Sequence, residues 1–179
     1  LIKYASEDTK KELLPKLVTG EVVGTYGIAE DSHQATEANI QVNASADKLN
    51  GTKIAVPDAG IASHMIVVAK SSQGIELRLV NLQDSSINVT PQKNIDTSKS
   101  FFKVEFNNTP STLLGQSGEG WNYIQHLLDQ AAVLFAFEQV GGSQAALDMA
   151  KAYSLERFAF GRQIGSYQAI KHKLADMYI

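Results

Sequence analysis

Hydrophobic positions along the 179 residues change period twice. In the stretch 6–18, Leu13, Leu14 and Leu17 recur at helical spacing, Ser6 suits an N-cap, and Glu7 and Asp8 complement the positive helix end. Gly20 stops that run, and Pro15 inside it predicts a break or a late restart. A strand region follows from about 21 to 107, with segments at 22–29, 40–44, 52–56, 64–69, 75–82, 87–90 and 101–106. Alternation at period two is plainest in Ile40-Gln41-Val42-Asn43-Ala44 and around Leu77 and Leu79. Asn50-Gly51 between two such segments predicts a tight hairpin turn, because both central residues of that turn take positive φ. Seven short strands of this kind predict an antiparallel barrel or sandwich.

After Pro110 the period returns to 3.6. Trp121, Ile124, Leu127, Leu128, Ala131, Leu134 and Phe137 form one stripe, which Gly141-Gly142-Ser143 punctuates. Ala145, Leu147, Ala150, Tyr153 and Phe158 continue a second helical pattern, closed by Gly161 and Gly165. Ser166 offers a cap for a third, carried by Ile170, Leu174 and Met177. The fold class expected is α+β: the end of a helical domain at 1–20, a β domain at 21–112, and the first helices of an incomplete bundle at 113–179. The uncapped stop at Ile179 and the start without Met read as a piece cut from something longer.

Composition narrows the chemistry. Sixteen Lys and Arg against 19 Asp and Glu leave a net charge of −3, with no basic excess to hold a nucleic-acid backbone. The absence of cysteine removes disulfide frameworks, thiol catalysis and Cys-ligated zinc. No apolar run reaches the roughly 18 residues of a membrane helix, and the first residues lack the apolar core of a secretory signal. The matches to glycosylation sequons at Asn50 and Asn88 are therefore read as chance. His33, His64, His126 and His172 have no ligand-like spacing, and no metal site is expected. No G-x-S-x-G elbow and no phosphate-binding loop with its lysine is present. Gly115, Gly118 and Gly120 read either as a turn before the helix or as a reversed dinucleotide fingerprint. Arg157, with Phe160 and Gly161 beyond it, reads either as an anion-binding arginine beside an aromatic or as one paired with Glu156 or Asp148.

Together these residues resemble the acyl-CoA dehydrogenases. Leu14-Pro15-Lys16-Leu17 with Gly20-Glu21 resembles the end of the family's N-terminal helical domain. Gly24-Thr25-Tyr26 and Glu30 stand where its flavin-binding strand and T-E-P-x-x-G-S-D loop belong, and Leu49-Asn50-Gly51-Thr52-Lys53 resembles its L-N-G-x-K hairpin. The ordered set Ala146-Leu147-Asp148, Tyr153, Glu156-Arg157, Phe160-Gly161, Gln168 and Leu174-Ala175-Asp176-Met177 is the most specific part. The resemblance implies FAD as cofactor, an acyl-CoA thioester as substrate, and a glutamate that removes the α-proton while the β-hydride passes to the flavin. It also implies electron-transfer flavoprotein as electron acceptor and a homodimer or homotetramer. The implied location is the bacterial cytoplasm or the mitochondrial matrix.

Carried over residue by residue, the resemblance is uneven. Arg157, Phe160 and Gln168 keep the positions that, in the family, hold the pyrophosphate and adenosine end of FAD by reaching across to a partner subunit. On the ring side, Tyr26, Ile28, Ala29, Ala55 and Pro57 occupy the cofactor positions, but Ala29 replaces a threonine, Ala55 an aromatic and Pro57 a second threonine. On the substrate side, Ala35 stands for a serine, Leu128 and Asp129 are kept, and Ala132 replaces an arginine. Some members carry the catalytic glutamate at the position of Ala131, where none stands here; Glu138 lies seven residues on, about 10 Å along the helix axis. The base is therefore expected beyond Ile179. The intact protein reads as a dehydrogenase inactive in this portion alone. The alternative is a non-catalytic subunit or assembly module with a degenerate site, working as a heteromer with a catalytic paralogue.

Overall fold

A computed structural model of the protein describes residues 1–31 and 34–179. Helix α1 (Glu7–Thr19) begins at Ser6, whose hydroxyl accepts from the Thr9 N–H at 3.2 Å, and ends at Gly20 in the left-handed conformation. It runs unbroken through Pro15, against expectation. Proline removes one N–H donor, and both Pro15 and Lys11, whose carbonyl would have received it, are exposed to water. Buried Leu13 and the two caps suffice to hold the remaining turns.

Eight strands form one sheet: β1 (Gly24–Gly27), β2 (Asn43–Ser45), β3 (Lys48–Pro57), β4 (His64–Ser71), β5 (Gly74–Asn81), β6 (Ile87–Gln92), β7 (Phe101–Pro110) and β8 (Thr112–Leu114). The hydrogen-bonded order is β6-β7-β3-β2-β4-β5-β8, with β1 on β4. Strands β6 and β8 stand at the two ends of that path, so no barrel closes. Pairing is antiparallel except for β1 and a single β2 register pair, both parallel to β4. Two of the expected strands are shorter. Segment 22–29 pairs only from Gly24 to Gly27, because the Ile28 and Ala29 carbonyls go to Lys53 and Ile54. Segment 40–44 starts late, because the N–H groups of Gln41 and Val42 go to the Glu30 carboxylate.

Asn50-Gly51 is not a turn. The β2–β3 hairpin turns at Ala46-Asp47, and Asn50-Gly51 lies inside β3 beside a register shift against β7. The extra residue there is Asn108, at φ 50°. Its N–H is accepted by the Asn50 side-chain oxygen at 2.8 Å, while Asn50 Nδ2 donates to Asn108 Oδ1 at 3.2 Å.

The central strand β4 faces two cores. Met65, Val67 and Ala69 pack with Val56, Val104 and Phe106, whereas Ile66 and Val68 pack with Ile75, Leu77, Leu114 and Ile124. Fully burying a valine, leucine, isoleucine, methionine or phenylalanine contributes about 1.5–3 kcal/mol over leaving it in water. The second core reaches helix α2 (Gly120–Glu156) at its start, where Tyr123 stacks on Tyr4 with ring centroids 3.9 Å apart. Gly118 and Gly120 are there for close approach. A Cβ on Gly120 would lie 2.6 Å from the Glu76 backbone, and one on Gly118 would lie 2.7 Å from the Gln73 carbonyl.

Helix α2 also departs from expectation. It is one helix of 37 residues through Gly141 and Gly142, so the carboxy-terminal part has two helices rather than three. Neither glycine takes positive φ, and about 1 kcal/mol each is too small a penalty to interrupt a continuing hydrogen-bond ladder. After α2 come β9 (Phe158–Ala159) and β10 (Arg162–Gln163), then helix α3 (Gln168–Tyr178). Ser166 does not cap α3; it lies in a 3-10 turn, and its hydroxyl donates to the Gln163 carbonyl. The chain divides into two units, Leu1–His126 and Leu127–Ile179. Among the described residues no helix is long and apolar enough to cross a membrane.

Candidate functional site

Lys53 organises the first unit's candidate residues. Its side chain is fully buried, and its ammonium donates to the Ile28 carbonyl at 2.9 Å and to Glu30 Oε1 at 2.7 Å. The same carboxylate accepts from the Gln41 and Val42 N–H groups at 2.6 and 2.9 Å. Ile54 donates its N–H to the Ala29 carbonyl at 2.9 Å, and the Thr25 hydroxyl donates to the Pro57 carbonyl at 2.5 Å. Residues 25–30 are thereby sewn to residues 53–57, bringing Tyr26, Ile28, Ala29, Ala55 and Pro57 together. Burial lowers the Lys53 pKa to about 8, against the opposing pull of Glu30.

A second bulge lies in β3 itself. Lys53 pairs with Val104 and Val56 with Phe102, so one extra residue is accommodated on the β3 side. Ala55, exposed and at φ 50°, lies in that bulge. Its N–H is accepted by the side-chain oxygen of Gln92 on β6, at 2.7 Å. Sequence reading gave Gln92 no role, since nothing in its spacing announces a residue reaching across β7.

Glu76 and Arg78 form another buried cluster that escaped the sequence reading, at 3% and 6% exposure. The guanidinium donates twice to Glu76 Oε2, from Nε at 2.8 Å and Nη2 at 2.6 Å. Oε1 accepts from the hydroxyls of Ser71 and Ser117. Burial acts to raise the Glu76 pKa, but the bonds from Ser117, Arg78 and Ser71, with the Arg78 charge, hold it below the usual carboxylate value. The signal lay in the alternation of 75–80, which sets both charges on the Val80 face. A 360 Å³ cavity opens beside this pair, walled mainly by polar side chains including Asn43, Ser45 and Ser72. A 560 Å³ cavity on another side touches Glu12, Asp47 and His64.

The second unit holds the other candidates. Phe158–Ala159 pairs with Arg162–Gln163 around a two-residue turn in which Phe160 (φ 53°) and Gly161 (φ 79°) are both left-handed. The turn holds the Phe160 ring 98% exposed. Ile164 donates its N–H to the Arg157 carbonyl at 2.8 Å, and the Tyr167 hydroxyl donates to the Ala159 carbonyl at 2.9 Å. Arg162 lies over the Tyr167 ring, 4.0 Å from its centroid. Arg157, Phe160 and Gln168 are thus gathered around one hairpin and the first residue of α3. Arg157 is exposed and makes no ion pair among the described residues; Asp148 instead accepts from Gln144. Leu128, Asp129 and Ala132 are exposed on α2, with Ala131 half-buried.

Of the remaining candidates, Ala35 packs half-buried against the second core, and His33 lies outside the described residues. Among the described residues, no three His, Cys, Asp or Glu converge as metal ligands would.

Residues 118–179 match the family described as acyl-CoA dehydrogenase, C-terminal domain. The mitochondrial 2-methylacyl-CoA dehydrogenase of Solanum tuberosum is 30% identical over 196 residues, with 99% of this chain and 47% of that protein covered. The structure of a glutaryl-coenzyme A dehydrogenase in complex with glutaryl-CoA superposes with a TM-score of 0.91 at 26% identity, covering 99% of this chain and 48% of that one. Over nearly its whole length the chain is similar to acyl-CoA dehydrogenases. A Mycobacterium smegmatis glutaryl-CoA dehydrogenase in complex with FADH2 shares the fold, with a TM-score of 0.89 at 23% identity over 98% of this chain and 47% of that one. The chain spans about half the length of the curated acyl-CoA dehydrogenases it matches.

Proposed function

We propose that this chain is the flavin-holding portion of a FAD-dependent acyl-CoA dehydrogenase, and that the whole protein desaturates acyl-CoA thioesters between the α and β carbons. The observation that carries this reading is the hairpin in the second unit. It holds Phe160 98% exposed beside an exposed Arg157 with no ion pair among the described residues. An exposed aromatic in a left-handed turn and a free guanidinium fit the adenosine and pyrophosphate of a FAD held by a partner subunit. Gln168 stands with them. On the ring side, the Lys53–Glu30 pair fixes the backbone of Tyr26, Ile28 and Ala29 against that of Ala55 and Pro57. The chemistry FAD supplies when bound is acceptance of a hydride from the β-carbon.

This chain's own residues bind and orient. Ala35, Leu128, Asp129 and Ala132 are assigned to the acyl-CoA side. No carboxylate stands at Ala131, so the base that takes the α-proton comes from outside these 179 residues. Electron-transfer flavoprotein as acceptor, a homodimer or homotetramer, and a bacterial cytoplasmic or mitochondrial matrix location complete the proposal.

One observation favours a second reading, a non-catalytic subunit paired with a catalytic paralogue. Ala29, Ala55 and Pro57 carry no hydroxyl, and the Ala55 N–H is already engaged by Gln92. Anaerobic titration of the full-length protein with FAD and mixed acyl-CoA thioesters separates the two. Bleaching of the visible flavin band is expected for the dehydrogenase, whereas absent flavin, or flavin that never bleaches, supports the second reading.

A further inference from the structure

We propose that Gln92 positions the flavin ring, its carboxamide supplying a hydrogen-bond donor that Ala29, Ala55 and Pro57 do not. The proposal rests on the flavin reading above and adds a residue that the family resemblance does not single out.

The argument begins with two bulges that solve the same problem. Each has a non-glycine residue near φ 50°, Asn108 on β7 and Ala55 on β3. At each, the N–H of that residue is accepted by a side-chain carboxamide oxygen, from Asn50 at 2.8 Å and from Gln92 at 2.7 Å. The difference lies in the other end of the amide. Asn50 Nδ2 spends its donor on Asn108 Oδ1, and that bulge is closed on itself. Gln92 Nε2 has no partner among the described residues.

Which end of Gln92 faces the backbone is fixed by chemistry, since an N–H can be accepted only by the carboxamide oxygen. The NH2 group is therefore on the far side of the same planar group, with two donors to offer. Gln92 and Pro57 both pair with Phe101, so the three stand abreast on β6, β7 and β3. Pro57 has no N–H, its carbonyl is taken by Thr25, and the Ala55 N–H is taken by Gln92. The half-buried Gln92 amide thus presents donors beside two ring-side positions that lack side-chain donors. A flat heteroaromatic ring with acceptor atoms on its edge is the matching ligand chemistry.

Two substitutions in the full-length protein separate the two ends of the amide. Gln92→Glu keeps an acceptor for the Ala55 N–H and removes the donors. Gln92→Lys keeps a donor and removes the acceptor. FAD dissociation constants and the thermal midpoint of the FAD-free protein are the readouts. Gln92→Glu is expected to leave the midpoint unchanged and weaken FAD binding about tenfold. Gln92→Lys is expected to lower the midpoint while FAD affinity stays within about threefold of the parent. FAD affinity equal to the parent in Gln92→Glu overturns the proposal and leaves Gln92 as a clasp on the bulge. Failure of the parent itself to take up FAD overturns the flavin reading and this proposal together.

Discussion

Lys53, which organises the first unit's candidate residues, and Arg157, a candidate itself, are both cations, and the fold treats them in opposite ways. Lys53 is fully buried, with its ammonium divided between a carbonyl and a carboxylate that is itself tied to two backbone N–H groups. Arg157 stands exposed with no ion pair among the described residues. A buried charge is tolerated only when its partners are fixed, so Lys53 belongs to the scaffold. An exposed guanidinium with no internal partner contributes little to folding and keeps its fork of donors for something else. The contrast separates a residue that holds the fold from one proposed to meet a ligand.

The largest effect that tests it is Lys53→Met, which leaves the nearly buried Glu30 without its counter-charge. Urea unfolding is expected to show about 3–5 kcal/mol lost; a loss below about 1 kcal/mol would mean that the Lys53–Glu30 pair does not hold the scaffold. The pH dependence of stability sharpens the same point. Lys53 gives up its proton near pH 8 when folded and at its ordinary value of 10.5 when unfolded. Between those values the unfolded chain binds more protons, so this group makes stability rise with pH there. That rise should vanish from Lys53→Met in a comparison of the two unfolding profiles.

Asn50→Ala removes the acceptor at the self-closed bulge, and a drop of about 0.5–1.5 kcal/mol is expected without change in FAD affinity. Weaker FAD binding in that variant would erase the distinction between the two bulges. Arg157→Ala should move stability least, within about 0.5 kcal/mol, while FAD affinity falls at least tenfold by equilibrium titration. An unchanged affinity would remove the main support for the flavin reading.

Periodicity located the strands because one face of each must meet a core, and it located the helical stretches for the same reason. Local punctuation misled more often. Pro15, Gly141 and Gly142 signal breaks locally, yet α1 and α2 pass through them: each exposed glycine costs only about 1 kcal/mol, and the roughly 3 kcal/mol of an interior proline is offset by the two caps and buried Leu13 of α1. Asn50-Gly51 has the composition of a turn, and the residues that do turn are Ala46 and Asp47. The Phe160-Gly161 turn was legible only as a motif, because its exposed ring serves no core whose period would betray it.

The sequence by itself determined an α+β chain resembling this family, since hydrophobic period and ordered motifs are properties of near neighbours along the chain. Only the tertiary structure decided that Lys53 meets Glu30 across 23 residues, that Glu76 gathers Ser117 from 41 residues away, and that Gln92 reaches Ala55 from 37 residues away. Those partners come from strand order and bulge position, which depend on how the whole sheet packs. A buried charge or an orphaned N–H takes whichever polar group the fold delivers to it.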